Sequence, residues 1–192
     1  ESLVRWDRAG NEPIGPDVFI PIAEESGLIN PIGLNVIRQA CTDALHWNDI
    51  KLSVNISAAQ LRDVEFPINL GQILEEVGFP PERLELEITE TCLVLDPVQA
   101  ERSLDVIRGF GVNIALDDFG TGYASIGFLR MFRFEKLKLD RSLVVDAGID
   151  AGSRAMMVSS ISVARALNMA VTAEGVETQQ QADLVRSAGC DL

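Results

Sequence analysis

Short apolar, β-rich runs alternate with longer segments of helical periodicity along the whole chain, and this alternation most narrows the folds that the chain can adopt. Six runs predict strands, at residues 2–6, 52–57, 84–89, 113–117, 136–140 and 170–176. Between them, apolar residues recur at helical spacing, and Gly78, Gly109 and Gly189 mark predicted helix ends. Strands that alternate with helices in this way predict βα units and a parallel sheet.

Two architectures contain such a sheet, an open doubly wound sheet and a closed (β/α)8 barrel. The open dinucleotide-binding fold lacks its usual marker, because no GxGxxG segment opens the first helix. Polar residues at or near the strand ends favour the barrel, since barrel enzymes hold their active sites there. These residues are Glu1, Asn55, Glu87, Asp117, Asp118, Lys138 and Glu174. We therefore predict the α/β class and a TIM-like (β/α)8 barrel.

The length sets how much of that barrel the chain holds. A complete barrel has eight strands and typically about 250 residues, whereas this chain has 192 residues and six predicted strands. We expect an incomplete barrel that lacks its first and last strands. Residues 1–192 contain no linker or low-complexity segment, so we expect one domain, trimmed at both ends from a longer protein.

Charge and composition exclude several functional classes. The 29 acidic residues outnumber the 16 basic ones and give a net charge of −13, which excludes a protein that coats a nucleic-acid polymer. A single histidine, His46, excludes a histidine-rich zinc site. Three widely spaced cysteines predict reduced thiols. The sequence contains no run of 18 apolar residues, which is the length that a membrane-spanning helix needs. These observations predict a cytoplasmic domain.

Two adjacent carboxylates, those of Asp117 and Asp118, follow an apolar predicted strand. Neighbouring side chains of a strand point to opposite faces, so both carboxylates can reach one site only where the strand breaks. Gly120 and Gly122 predict that break directly after the pair. The alternative is that Asp118 caps the following turn.

Another strand carries alternating acidic residues. Alternation places Glu85, Glu87 and Thr89 on one face, and buried carboxylates there need a partner, a proton or a cation. The alternative is an edge strand whose acidic face lies in water. Three further polar residues interrupt apolar runs, namely Asn55, Lys138 and Glu174. Each has a structural alternative: Asn55 could make a hydrogen bond in the core, Lys138 could form a salt bridge, and Glu174 could be a solvated loop carboxylate.

Together these residues predict a cluster of three or more carboxylates with one amide and one lysine. Oxygen ligands suit Mg²⁺ or Mn²⁺ rather than zinc, and carboxylates that converge without a cation repel one another. Two ions bridged by a carboxylate can activate water for a phosphoryl displacement without a Ser, Cys or His nucleophile. An enolising enzyme with Mg²⁺ and a lysine base fits the same residues.

Ordered sequence blocks resemble those of one family. The chain begins ESLVRW, which is similar to EALxRW with serine in place of alanine. Further blocks follow in the family's order: FIPIAEE (19–25), VNIS (54–57), LEITE (86–90), DDFGTGY (117–123), KLDRS (138–142) and AEGVE (173–177). Over essentially all 192 residues the chain resembles EAL-type cyclic di-GMP phosphodiesterase domains.

The resemblance implies a barrel that hydrolyses cyclic di-GMP to linear pGpG through two-metal activation of water. The implied metal ligands are Glu1, Asn55, Glu87, Asp117, Asp118 and Glu174. Glu1, Asn55, Glu87 and Asp117 would hold one ion, with Asp117 shared and Asp118 serving the second. The resemblance leaves Glu174 as either a metal ligand or the general base, and it implies that Lys138 holds the attacking water.

The same resemblance implies substrate contacts and a supported loop. Arg5 and Asp140 would bind substrate, while Glu90, Gly120 and Gly122 would support the loop at residues 118–125. One departure affects the ligand: Ala59 stands where the family often has arginine, so a ligand contact is expected to be lost.

The implied cofactors are Mg²⁺ or Mn²⁺ in a two-metal site, with Ca²⁺ inhibitory. The implied partners are cyclic di-GMP, a second copy in a homodimer, and sensor or diguanylate cyclase domains outside this chain, whose parent protein could be anchored in a membrane. The alternative function is a catalytically silent cyclic di-GMP receptor or a regulatory interaction module.

Overall fold

The computed structural model describes residues 1–7, 10, 12–47, 49–120 and 126–191. The chain divides into two compact units, which we describe separately. The first unit comprises Glu1–Ile88 and Cys92–Asn113, and the second comprises Thr89–Thr91 and Ile114–Leu192.

The first unit is built on a pair of parallel strands, β1 (Leu52–Asn55) and β2 (Leu84–Thr89). Leu52 pairs with Leu84, and the register continues to the pair of Asn55 and Glu87. Its helices are α1 (Pro16–Glu25), α2 (Ile29–Ala44), α3 (Ala58–Arg62), α4 (Phe66–Val77) and α6 (Pro97–Gly109), and a 3₁₀ turn covers Pro81–Arg83. Helix α5 (Glu90–Val94) lies between β2 and α6 in the sequence.

Local sequence signals explain where several of these helices begin and end. Ser57 starts α3 through a capping box with Gln60, and Asp96 starts α6 by accepting a hydrogen bond from the backbone of Gln99. Gly78 ends α4 with φ of 70°, a left-handed conformation that glycine adopts without a steric penalty. The predicted helix end at Gly78 is confirmed.

The predicted first strand, at residues 2–6, is wrong. Ser2 makes only an isolated parallel bridge to Val54, through its N–H and the carbonyl oxygen of Ser53 at 2.8 Å. Trp6 then pairs antiparallel with Ile14, whose N–H donates to the Trp6 carbonyl oxygen at 3.1 Å. The ladder beside β1 therefore does not continue beyond Ser2, and Trp6 pairs with Ile14 instead.

The second unit contains three parallel strands, β3 (Asn113–Phe119, within this unit from Ile114), β4 (Lys136–Leu139) and β5 (Ala170–Ala173). Strand β4 lies between the other two, with Leu137 opposite both Leu116 and Val171. The helices of this unit are α7 (Ile126–Phe132), α8 (Arg141–Ile149), α9 (Ala151–Ala166) and α10 (Gln179–Ala188). Met157, Ile161 and Ala164 form the buried face of α9.

Parallel strands separated by helices confirm the predicted α/β class. The three cysteines are free and buried, and burial raises the pKa of the Cys41 thiol to about 12 and that of Cys190 to about 11. Among the described residues, the helices are too short or too polar for any of them to cross a lipid bilayer.

Candidate active site

The adjacent carboxylates of the second unit lie in an irregular part of β3. Leu116 pairs with Leu137 and Phe119 pairs with Leu139, so β3 advances three residues while β4 advances two. The extra residue makes a β-bulge, which places Asp117 and Asp118 together opposite the single β4 residue between those pairs.

Backbone conformation completes this arrangement. Asp118 has φ of 54°, in the left-handed region that aspartate adopts more readily than most residues. A regular strand would send the two side chains to opposite faces, whereas here one oxygen of each carboxylate lies within 4.8 Å of the other. The predicted break at Gly120 is confirmed, because β3 ends at Phe119 and Gly120 begins a turn. The strand departs from regular geometry before that break, at the bulge that contains Asp118.

Lys138 of β4 is the opposing residue and is almost completely buried, with 7% of its surface exposed. Its Nζ lies 3.1 Å from Asp117 Oδ2 and 2.8 Å from Glu174 Oε1. Asp117 is buried to a similar degree, with 8% exposed. The ammonium group therefore compensates the buried Asp117 carboxylate, which would otherwise be costly to remove from water.

Glu174 directly follows β5. Its N–H donates to the carbonyl oxygen of Leu139 at 3.0 Å, which continues the β4–β5 ladder by one residue. Its side chain is 37% exposed, so Glu174 lies at the open side of the group formed with Asp117, Asp118 and Lys138.

These negative charges affect one another. The pKa of Asp118 is raised, and the largest cause is burial. The negative charges of Asp117, Asp140 and Glu174 raise it further, whereas the positive charge of Lys138 lowers it. Repulsion thus remains at Asp118 although a lysine is present. A divalent cation would relieve it.

The donor set fits such a cation. One carboxylate oxygen each from Asp117, Asp118 and Glu174 lies within 4.8 Å of the other two. Hard oxygen donors of this kind suit Mg²⁺ or Mn²⁺. These three residues, all predicted as metal ligands, are brought together within the second unit.

The other predicted ligands belong to the first unit and form a second group. The Asn55 amide donates from Nδ2 to Glu1 Oε1 at 2.9 Å, and both side chains are exposed. Glu87 is opposite Asn55 in the β1–β2 register and is buried, with 3% exposed. Its neighbour on the same face, Glu85, accepts a hydrogen bond from Ser53 Oγ at 3.1 Å.

The two predicted substrate contacts have local partners. Arg5 is exposed, and its Nη1 donates to the carbonyl oxygen of Val4 at 2.9 Å. Asp140 is the N-cap of α8, where it accepts hydrogen bonds from the hydroxyl and the backbone N–H of Ser142. Those hydrogen bonds lower the pKa of Asp140, and the bond from the Ser142 hydroxyl is the largest cause.

One contact of the predicted loop support lies within the described residues. Glu90 is buried, with 5% exposed, and its Oε1 lies 3.5 Å from the backbone nitrogen of Gly120, at the limit of a hydrogen bond. Gly122 and most of the predicted loop lie outside the described residues.

The sequence interpretation missed one neighbour of the site. Arg141, the first residue of α8, packs against Gly175 and pairs with Glu177 at 2.9 Å. The signal was present in the sequence, because a glycine that directly follows a site carboxylate often permits a close approach by another group.

Carboxylates and a buried lysine at the carboxyl ends of parallel strands define an α/β protein with a strand-end acidic site. The chain belongs to the EAL domain family, whose family model matches residues 1–192. This confirms the resemblance drawn from the sequence.

Named relatives support the same assignment. The chain is 38% identical over 199 residues to the cyclic di-GMP phosphodiesterase NbdA of Pseudomonas aeruginosa, covering 100% of the chain and 25% of NbdA. It is 39% identical over 188 residues to the cyclic di-GMP phosphodiesterase PdeR of Escherichia coli, covering 94% of the chain and 28% of PdeR. The chain thus spans about a quarter of the length of the curated relatives that it matches.

A solved structure supports the fold class. The phosphodiesterase PaMucR in complex with c-di-GMP matches 97% of this chain and 77% of its own chain, with a TM-score of 0.89 and 32% identity. The fold class is therefore that of the EAL domains, a TIM-like barrel to which the five parallel strands belong, as predicted.

Proposed function

We propose that this chain is a metal-dependent phosphodiesterase that hydrolyses cyclic di-GMP to linear pGpG. Membership of the EAL family supports the substrate, since NbdA and PdeR are named cyclic di-GMP phosphodiesterases and PaMucR binds c-di-GMP in its solved structure. The observation that carries the proposal is the group in which Lys138 bridges Asp117 and Glu174 while Asp118 lies within ligand distance.

The residues that would hold divalent ions, Mg²⁺ or Mn²⁺, are those that the family resemblance implies, with Asp117 shared between two ions. They are Glu1, Asn55, Glu87, Asp117, Asp118 and Glu174, of which the last three offer carboxylate oxygens within 4.8 Å of one another. When bound, such ions lower the pKa of a coordinated water and neutralise charge that develops on phosphate oxygens.

The reaction adds water across one phosphodiester bond. The water oxygen forms a bond to phosphorus, the bond from phosphorus to the 3′-oxygen breaks, and the proton lost by water is balanced by the proton gained at that 3′-oxygen. Lys138 would orient the water, because an ammonium donates hydrogen bonds and accepts none. Glu174 would hold metal or accept the proton, because its carboxylate is more exposed than that of Asp117, with which Lys138 also pairs.

Substrate would be held by Arg5, through its guanidinium and a phosphate, and by Asp140. Glu90, Gly120 and Gly122 would support the loop at residues 118–125. Attached sensor or cyclase domains, a homodimer, and a cytoplasmic site of action complete the proposal.

The test is to incubate the full-length protein with cyclic di-GMP and Mn²⁺ or Mg²⁺ and to identify the product by mass spectrometry. We expect pGpG, and we expect Ca²⁺ to support binding without turnover, because it is larger and demands less regular coordination. Asp117→Asn should abolish hydrolysis, whereas Asp183→Asn, on the exposed surface of α10, should leave it unchanged. Tight binding with no product under any metal would instead support the receptor function.

A further inference from the structure

The backbone directly after Glu174 is unusually close to another side chain. Gly175 has φ of 64°, and a Cβ placed on it would lie 2.4 Å from Arg141 Cγ, 2.7 Å from its Cβ and 2.9 Å from its Cδ. Real Cβ atoms do not approach other atoms so closely, so the aliphatic part of Arg141 packs directly on the Gly175 backbone. A larger residue at position 175 would meet both a backbone penalty and a clash.

The other end of Arg141 restrains the same segment. Its Nη2 lies 2.9 Å from Glu177 Oε1, and the two side chains are 61% and 59% exposed. An ion pair this exposed contributes little to folding stability. It nevertheless fixes the direction of the Arg141 side chain, so that its stem stays on Gly175 while its guanidinium binds Glu177.

Glu174 depends on this restraint because it has left the strand. Strand β5 ends at Ala173, and the backbone N–H of Glu174 makes the last ladder hydrogen bond, to Leu139 at 3.0 Å. The carboxylate must still reach Lys138 at 2.8 Å from this position. The path of residues 175–177 therefore determines where the Glu174 carboxylate lies.

We propose that Arg141 is a positioning residue for the reaction, which it serves by clamping residues 175–177 and thereby holding Glu174 against Lys138. The inference rests on the proposed function. Arg141 touches neither of those two side chains through its guanidinium, which is already paired with Glu177. Its effect on catalysis is expected to appear in turnover and not in substrate affinity.

The experiment compares Arg141→Ala, Arg141→Lys and Gly175→Ala in the full-length protein. The controls are Arg186→Ala, which removes an equally exposed arginine paired with Asp183 at 3.9 Å, and Gly148→Ala, where an added Cβ meets nothing within 4 Å. Two readouts are measured: kcat and KM for cyclic di-GMP with Mn²⁺, and hydrogen–deuterium exchange of residues 173–177 without metal or ligand.

We expect Arg141→Ala to lower kcat about tenfold with KM unchanged, because a displacement of a reacting group by a fraction of an ångström has effects of this order. Arg141→Lys keeps the aliphatic stem and a positive charge, so kcat should stay within about twofold of wild type. Gly175→Ala should lower kcat more than Arg141→Ala. Exchange at residues 173–177 should accelerate in Arg141→Ala and return to the wild-type rate in Arg141→Lys.

A rise in KM at constant kcat in Arg141→Ala would assign Arg141 to substrate binding and overturn the proposal, as would unchanged exchange in that variant. A matching loss of kcat in either control would also overturn it, because the effect would then be a general loss of structure. If the wild-type protein turns over no cyclic di-GMP, the proposed function fails, and the exchange measurement alone still decides whether the clamp exists.

Discussion

The two units hold their strand-end polar residues by different means. In the first unit, Asn55 and Glu87 are neighbours through regular parallel register, and a neutral amide donates to the Glu1 carboxylate. In the second unit, a bulge gathers two adjacent carboxylates, and Lys138 lies among them. Regular pairing can place side chains from neighbouring strands together, whereas two consecutive residues of one strand need a break in the register and a nearby cation.

The comparison predicts that the stability and activity of the second unit depend more strongly on a charged side chain than those of the first unit do. Replacing Lys138 with alanine leaves the buried Asp117 carboxylate without its ammonium partner. We expect the free energy of unfolding to fall by about 3 kcal/mol and hydrolysis of cyclic di-GMP to fall by about a hundredfold or more. Urea denaturation and a turnover assay measure the two effects.

The control for this variant is Arg38→Ala in the first unit, which removes an arginine from an exposed pair with Glu76. It should change the free energy of unfolding by less than about 1 kcal/mol. If the two variants lower the free energy of unfolding by the same amount, the claimed difference in charge dependence between the units is wrong.

A smaller effect is expected in the first unit. Asn55→Ala removes the hydrogen bond to Glu1, and because both side chains are exposed, the free energy of unfolding should fall by no more than about 1 kcal/mol. If Asn55 also binds metal, Mn²⁺ affinity measured by calorimetry should fall by about tenfold. Asn113→Ala is the matched control, since Asn113 also donates from a side-chain amide, to the carbonyl oxygen of Glu82 at 2.9 Å. Equal Mn²⁺ affinity in the two variants would remove Asn55 from the ligand set.

The smallest predicted effect concerns pH. Asp191 Oδ2 accepts the backbone N–H of Val171 in β5 at 2.7 Å, and this bond is the first cause that lowers the pKa of Asp191, ahead of the contributions of Arg165. Because the pKa is lower in the folded than in the unfolded protein, the stabilisation is present above the unfolded value and is lost as pH falls through the folded value.

Asp191→Asn should therefore lower the free energy of unfolding at pH 7 by less than about 1 kcal/mol. The difference from wild type should disappear under strongly acidic conditions. Thermal unfolding at both pH values measures it, with Asp183→Asn as the exposed control. A difference that persists unchanged in acid would show that the hydrogen bond to Val171 does not depend on the charge.

Much of the fold could be predicted because its signals are local. Gly78 ends α4 and Asp96 begins α6 where the sequence indicates, since a cap depends only on residues within one turn. The first predicted strand failed for the opposite reason. Residues 2–6 have the composition of a strand, but a strand there needs pairing with the distant segment at Val54, and only Ser2 is bridged to it.

The site was predictable as a set of residues but not as a geometry. The family resemblance indicated Asp117, Asp118, Lys138 and Glu174, and the structure brings these four together. The location of the bulge was not predictable, because it depends on the register between β3 and β4, which the local sequence of β3 does not determine. Gly175 indicates a close approach at that position, but no local pattern identifies Arg141, 34 positions earlier in the chain, as the residue that makes it.

The bulge in β3 has a consequence for ionic conditions. Because the bulge places the exposed Asp118 carboxylate beside those of Asp117 and Glu174, three carboxylates lie together with one ammonium, and their net negative charge repels a phosphate. Without divalent ions, monovalent salt should screen that repulsion and strengthen the binding of a dianionic nucleotide, the reverse of the usual salt effect on phosphate recognition. The single extra residue of the bulge therefore makes nucleotide binding at this site depend on the concentration of divalent ions as much as on the concentration of nucleotide.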